Sequence, residues 1–94
     1  MTIVRPSGVL TNTATSTTSA TIFAANTGNV RGRIVWNDSA AILYLAFAST
    51  AASATNATIA VAAGATYVFD QPVYNGQVTG VLASGTGTAR TTEY

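Results

Sequence analysis

Cysteine, histidine and lysine are all missing from this 94-residue chain. Without thiols or imidazoles there are no disulfide staples, no thiolate or imidazole metal ligands, no Ser-His-Asp triad and no cysteine nucleophile. Charge is scarce as well. Four Arg, two Asp and one Glu make up 7% of the residues and leave a net charge of +1, where ordinary domains carry about 25% charged residues. That balance gives neither the basic footprint that wraps nucleic acid nor an acidic tail, so no nucleic-acid partner is expected. The longest apolar run, residues 40–48, is less than half of the ~20 residues that a membrane-spanning helix requires, and no membrane partner is expected. The opening Met1-Thr2-Ile3-Val4-Arg5-Pro6 has no basic segment followed by an apolar stretch, which reads as no secretion signal.

What is present is small and β-prone. A chain of this length buries roughly 9,000 Å² on folding, about 60% of its unfolded surface, which is a thin core for one domain standing alone. Residues 11–21 are almost purely Thr, Ser, Ala and Asn and offer nothing large to anchor in a core. They read as part of an extended N-terminal arm over residues 1–18, with Thr11, Thr13, Thr15 and Thr17 on one face. An ice-binding Thr ladder would need this pattern to recur as a stacked repeat, and it occurs once.

From residue 19 onward short strand-like runs alternate with turn signals. Residues 31–37 place Arg31, Arg33, Val35 and Asn37 on one face and Gly32, Ile34 and Trp36 on the other. Trp36 is expected to point inward. Residues 42–47 are continuously apolar, as in a strand buried on both faces. Residues 48–56 read as a small-residue loop, with a short helical turn left open. Residues 58–61 and 66–69 flank a Gly64 turn that reads as a hairpin, and Asn75-Gly76 between residues 73–74 and 77–82 is a sharper hairpin cue. Ser84-Gly85-Thr86-Gly87 then separates the last pair. About seven short strands with no helical stripe predict an all-β fold, a small antiparallel β-sandwich or barrel over residues 19–94.

Chemistry-bearing constellations are thin. Asp38, Asp70 and Glu93 sit in or beside different turns or termini, where Asp is a usual turn former, so neither a paired-carboxylate acid and base nor a calcium loop is expected. Gly85-Thr86-Gly87 precedes a strand rather than the helix that a phosphate loop needs. The reading is of a non-enzyme with no cofactor and no metal. A surface of Ala, Thr, Ser and Asn with so little charge lacks ordinary colloidal protection and belongs against a partner. Arg31 and Arg33 read either as solvated strand residues or as ion-pair donors to a neighbouring subunit. Trp36, Tyr44 and Tyr67 read as core, whereas Tyr74 and Tyr94 are interface candidates, along with Arg5 and the four threonines of the arm.

The order Arg33-Ile34-Val35-Trp36-Asn37-Asp38-Ser39, Leu43-Tyr44-Leu45-Ala46-Phe47, Ala63-Gly64-Ala65-Thr66-Tyr67, Tyr74-Asn75-Gly76-Gln77-Val78-Thr79-Gly80 and Ala89-Arg90-Thr91-Thr92-Glu93 resembles small virion structural proteins of tailed bacteriophages. The likeness runs over residues 20–94, with Ala63-Gly64 standing where Pro-Gly is expected. It implies a capsid decoration or cement protein, assembled in the host cytoplasm and carried on the capsid exterior. Such a protein would be a homotrimer that binds the major capsid protein and clamps neighbouring capsomers. The alternative is a tail, neck or head-fibre accessory module that binds a host-surface glycan or joins virion parts.

Overall fold

The computed structural model describes residues 8–28 and 30–94, and among them every regular element is a strand. The eight strands are β1 (Val9–Thr15), β2 (Ala20–Phe23), β3 (Arg33–Asp38), β4 (Leu43–Ala46), β5 (Ile59–Val61), β6 (Thr66–Val68), β7 (Val78–Leu82) and β8 (Gly87–Glu93). They form two four-stranded sheets, ordered β1-β8-β3-β6 and β2-β7-β4-β5, and every pairing is antiparallel. The expected all-β sandwich is therefore present, with the strand order of an eight-stranded jelly roll.

Successive strands alternate between the sheets except at β4 and β5. The antiparallel directions put the connections 16–19, 39–42, 62–65 and 83–86 at one end of the sandwich, each four residues long. The longer connections 24–32, 47–58 and 69–77 lie at the other end. Two of the expected hairpins are thereby corrected. The Gly64 turn does take the positive φ of 74° that glycine tolerates, but its flanking strands pair with different partners in opposite sheets, β5 with β4 and β6 with β3. Asn75-Gly76 joins no strand pair, because residues 73–74 form no strand and their backbone is engaged elsewhere.

The arm also takes a different form. Within it, Val9–Thr15 is a strand paired in unbroken register with β8, from Val9 opposite Glu93 to Thr15 opposite Gly87. A run of β-branched residues fits a pleated ladder, and this one completes the sheet beside β8. The core comprises Ile22, Phe23, Val35, Leu43, Leu45, Phe69 and their neighbours from both sheets. Its aromatic part is layered: Phe47 stacks on Phe69 at 4.8 Å and on Tyr74 at 5.4 Å, and Phe23 meets Phe69 edge-on.

The alternation of β3 is as expected, but its sense is inverted. Arg33, Val35 and Asn37 face inward, and Trp36 is outside with 42% of its surface exposed. The reason is hydrogen bonding. Arg33 and Asn37 reach enough acceptors to be buried without loss, and each pins one end of the sandwich. Asn37 Nδ2 donates to the carbonyls of Ala41, Val61 and Ala62 at 2.8–3.1 Å, tying two short arches to β3.

Candidate functional site

Arg33, expected as either a solvated strand residue or an ion-pair donor to a neighbouring subunit, is fully buried at 0% exposure. Its Nε donates to Glu93 Oε2 at 2.8 Å. Nη1 donates to the carbonyls of Tyr74 and Gly76, and Nη2 to those of Ala24 and Asn75, at 2.7–3.2 Å. All five guanidinium N–H groups are thus used. The ring of Phe23 packs 4.7 Å from the guanidinium carbon. The Tyr74-Asn75-Gly76 segment that resembled a hairpin is a carbonyl cradle for this side chain.

Other expected contact residues are dispersed. Arg5 lies outside the described residues. Thr13 and Thr15 turn inward, half-buried and buried, whereas Thr11 faces the same way yet stays exposed because no strand lies beyond β1; Thr17 sits in an exposed turn. Tyr74 is half-buried on Phe47, with its hydroxyl donating to the Gln77 carbonyl, which makes it core rim rather than interface. Tyr44 and Tyr67, expected in the core, are half-buried. Arg31 and Tyr94 are exposed and adjoining: the Tyr94 carbonyl accepts from the backbone N–H groups of Arg31 and Gly32, and the Tyr94 ring crosses Gly32 where a Cβ would collide. The carboxylates are separate. Glu93 serves Arg33 and accepts from Asn26 Nδ2 at 2.6 Å, Asp38 pairs with Arg90 at 2.8 Å, and Asp70 is exposed. Among the described residues no cluster of three metal-ligating side chains forms.

The two outer faces differ sharply. The outer face of the β2-β7-β4-β5 sheet is covered by the chain itself, because the 47–58 connection folds back across it. Ala52 packs there with Ala46, Val81 and Tyr44. Ala52 N–H donates to Ser19 Oγ, and Thr79 Oγ1 donates to the Thr50 carbonyl at 2.7 Å. This cover is why all of β7 is buried.

The outer face of the β1-β8-β3-β6 sheet has no such cover among the described residues. Register stacks its side chains in rows across the four strands. One row is Leu10, Thr92, Ile34 and Val68; the next is Asn12, Arg90, Trp36 and Thr66. Leu10 is 77% exposed, and Val68 is also well exposed. Arg90 lies over the Trp36 ring at 5.7 Å, donates to Asp38 Oδ2 at 2.8 Å and donates to Asn12 Oδ1 at 3.1 Å. A shallow hollow of about 540 Å³ runs between Leu10, Asn12, Ile34, Trp36, Thr66 and Arg90. An apolar sheet face centred on a tryptophan and an arginine has the composition of a protein-binding surface rather than a catalytic one.

Sequence reasoning missed Trp36, Arg90, Leu10, Asn12 and Val68 as surface residues. The available signal was the unresolved choice of which β3 face points inward. Comparison of the chain with protein-family models, with curated proteins and with solved structures finds no match to any of them.

Proposed function

We propose that the chain is a structural protein of a tailed-bacteriophage particle, a decoration or cement protein that seats the outer face of its β1-β8-β3-β6 sheet on the capsid and clamps neighbouring capsomers. The observation that carries this reading is the asymmetry of the two faces. One sheet is sealed by its own 47–58 connection, while the other leaves Leu10, Trp36 and Val68 uncovered on a chain with 7% charged residues. Such a face is stable in water only at a cost in exposed apolar surface, which docking removes. The resemblance of residues 20–94 to small virion proteins supplies the partner. The jelly-roll order, which recurs in viral capsid domains, adds a fold-level analogy.

The test has two parts. Mass spectrometry of purified particles should find this protein at near one copy per capsid subunit. Trp36→Ala should fold normally yet lose at least tenfold in affinity for capsids stripped of it, as expected for an aromatic anchor worth about 2 kcal/mol. Unchanged affinity would remove the proposed face.

A second reading rests on the same tryptophan. Trp36 beside Asn12 and the Arg90–Asp38 pair also has the makings of a glycan platform on a tail, neck or head-fibre module. A few copies per particle, with glycan-array binding abolished by Trp36→Ala, would favour it.

A further inference from the structure

Four strand edges are exposed by this topology, and three are blunt. β5 and β6 are three residues long, while β2 has four residues and a register shift between Thr21 and Phe23. Short or bulged edges resist pairing with other chains. The fourth edge belongs to β1, which runs seven residues without a bulge, a proline, a glycine or a charge. Its outward row of backbone N–H and C=O groups meets no strand among the described residues.

We propose that two copies of the chain join edge to edge through β1, antiparallel, with a two-fold axis at Asn12. The segment reads Val9-Leu10-Thr11-Asn12-Thr13-Ala14-Thr15, and about Asn12 it is nearly its own mirror. Thr11 meets Thr13 of the other copy, Val9 meets the isosteric Thr15, and Leu10 meets Ala14. An isologous contact demands this kind of self-complementarity. On the outer face the protruding Leu10 gains the one small neighbour that leaves it room. On the inner face, threonine pairs suit opposed positions of an antiparallel ladder. Asn12 Oδ1 already accepts from Arg90, which leaves the Asn12 amide N–H groups free to donate across the axis.

A further observation agrees with this occupant. Between the β1 and β2 edges the sandwich gapes into a cleft of about 360 Å³, lined by Val9, Thr11, Thr13, Ile22, Phe23 and Glu93. A second copy brings its own cleft against this one and roofs both, covering apolar wall and the otherwise exposed Thr11. The result is a continuous eight-stranded sheet whose two uncovered faces lie side by side. A two-fold dimer departs from the trimer that the resemblance to virion proteins implies, and it stands independently of the capsid reading.

The absence of native cysteine makes register directly testable in the full chain. Opposed residues of antiparallel strands lie about 4.5–5.5 Å apart at Cα, within disulfide reach. Under mild oxidation Asn12→Cys should therefore crosslink to itself. Leu10→Cys and Ala14→Cys should crosslink with each other but each at least tenfold more slowly with itself. Sedimentation velocity of the unmodified chain should give twice 9.5 kDa. Ala14→Lys, which sets an ammonium group against Leu10 of the other copy, should give a monomer with an unchanged melting temperature. A monomeric or trimeric unmodified chain, equal self-crosslinking at all three positions, or a dimer indifferent to Ala14→Lys would each overturn the proposal.

Discussion

Replacing Arg33 by Met keeps most of the volume of the side chain and removes all five of its hydrogen bonds. The carbonyls of Ala24, Tyr74, Asn75 and Gly76 lose their shared donor, and Glu93 loses a cation 2.8 Å away. Breaking a buried ion pair from one side costs about 3–5 kcal/mol, because the surviving charge stays desolvated. The Glu93 side chain retains 15% exposure and the Asn26 bond, which places the expected loss nearer the lower figure. A domain of this size has roughly 5–14 kcal/mol in total. A loss of about 3 kcal/mol lowers the melting temperature by roughly 12–24 °C. Urea unfolding followed by circular dichroism, with linear extrapolation, measures it directly. Two companions sharpen the result. Arg33→Lys supplies three donors from a single point instead of a five-donor fork and should recover less than half of the loss. Arg33→Met combined with Glu93→Gln removes the stranded charge and should be less damaging than the sum of the single changes. An Arg33→Met cost below about 1 kcal/mol, or an Arg33→Lys variant as stable as the original, would refute the view that this guanidinium ties the long connections together.

Asn37→Ala strands the carbonyls of Ala41, Val61 and Ala62 beneath the short arches, and equilibrium unfolding should register a loss of about 2–3 kcal/mol. Gly64→Ala meets nothing within 4 Å but must hold φ at 74°, so it should cost about 1–2 kcal/mol of backbone strain alone. A cost near zero there would show that the 62–65 arch can relax.

Most strand segments were readable from β-branched runs and turn residues, because those signals are local. The inward face of β3 was not. Trp36 is the larger apolar residue and burial favours it over arginine, yet Arg33 goes inside because Glu93, 60 residues later, and four carbonyls from separate loops surround it. The same cradle overrides the Asn75-Gly76 hairpin cue. The Gly64 turn was recognised by its glycine, but whether a turn returns a strand to its own sheet or sends it to the opposite one depends on partners far away in the chain. Thr11, Thr13 and Thr15 were correctly placed on one face, while the partner that makes a strand of them, β8, begins more than 70 residues on. For the site, the surface rows Leu10-Thr92-Ile34-Val68 and Asn12-Arg90-Trp36-Thr66 exist only through register, which single-segment patterns do not carry.

The sealed outer face over Ala46, Ala52 and Val81 also governs what happens after the bare face has docked. A layer of such domains would turn Ala-, Ser- and Thr-rich chain toward solvent, with little charge and no open sheet to receive another molecule. Growth by stacking would stop at one molecule's thickness. The 47–58 connection thus works as a terminator: it makes the domain a one-sided tile, able to coat a surface once and unable to build upward from it.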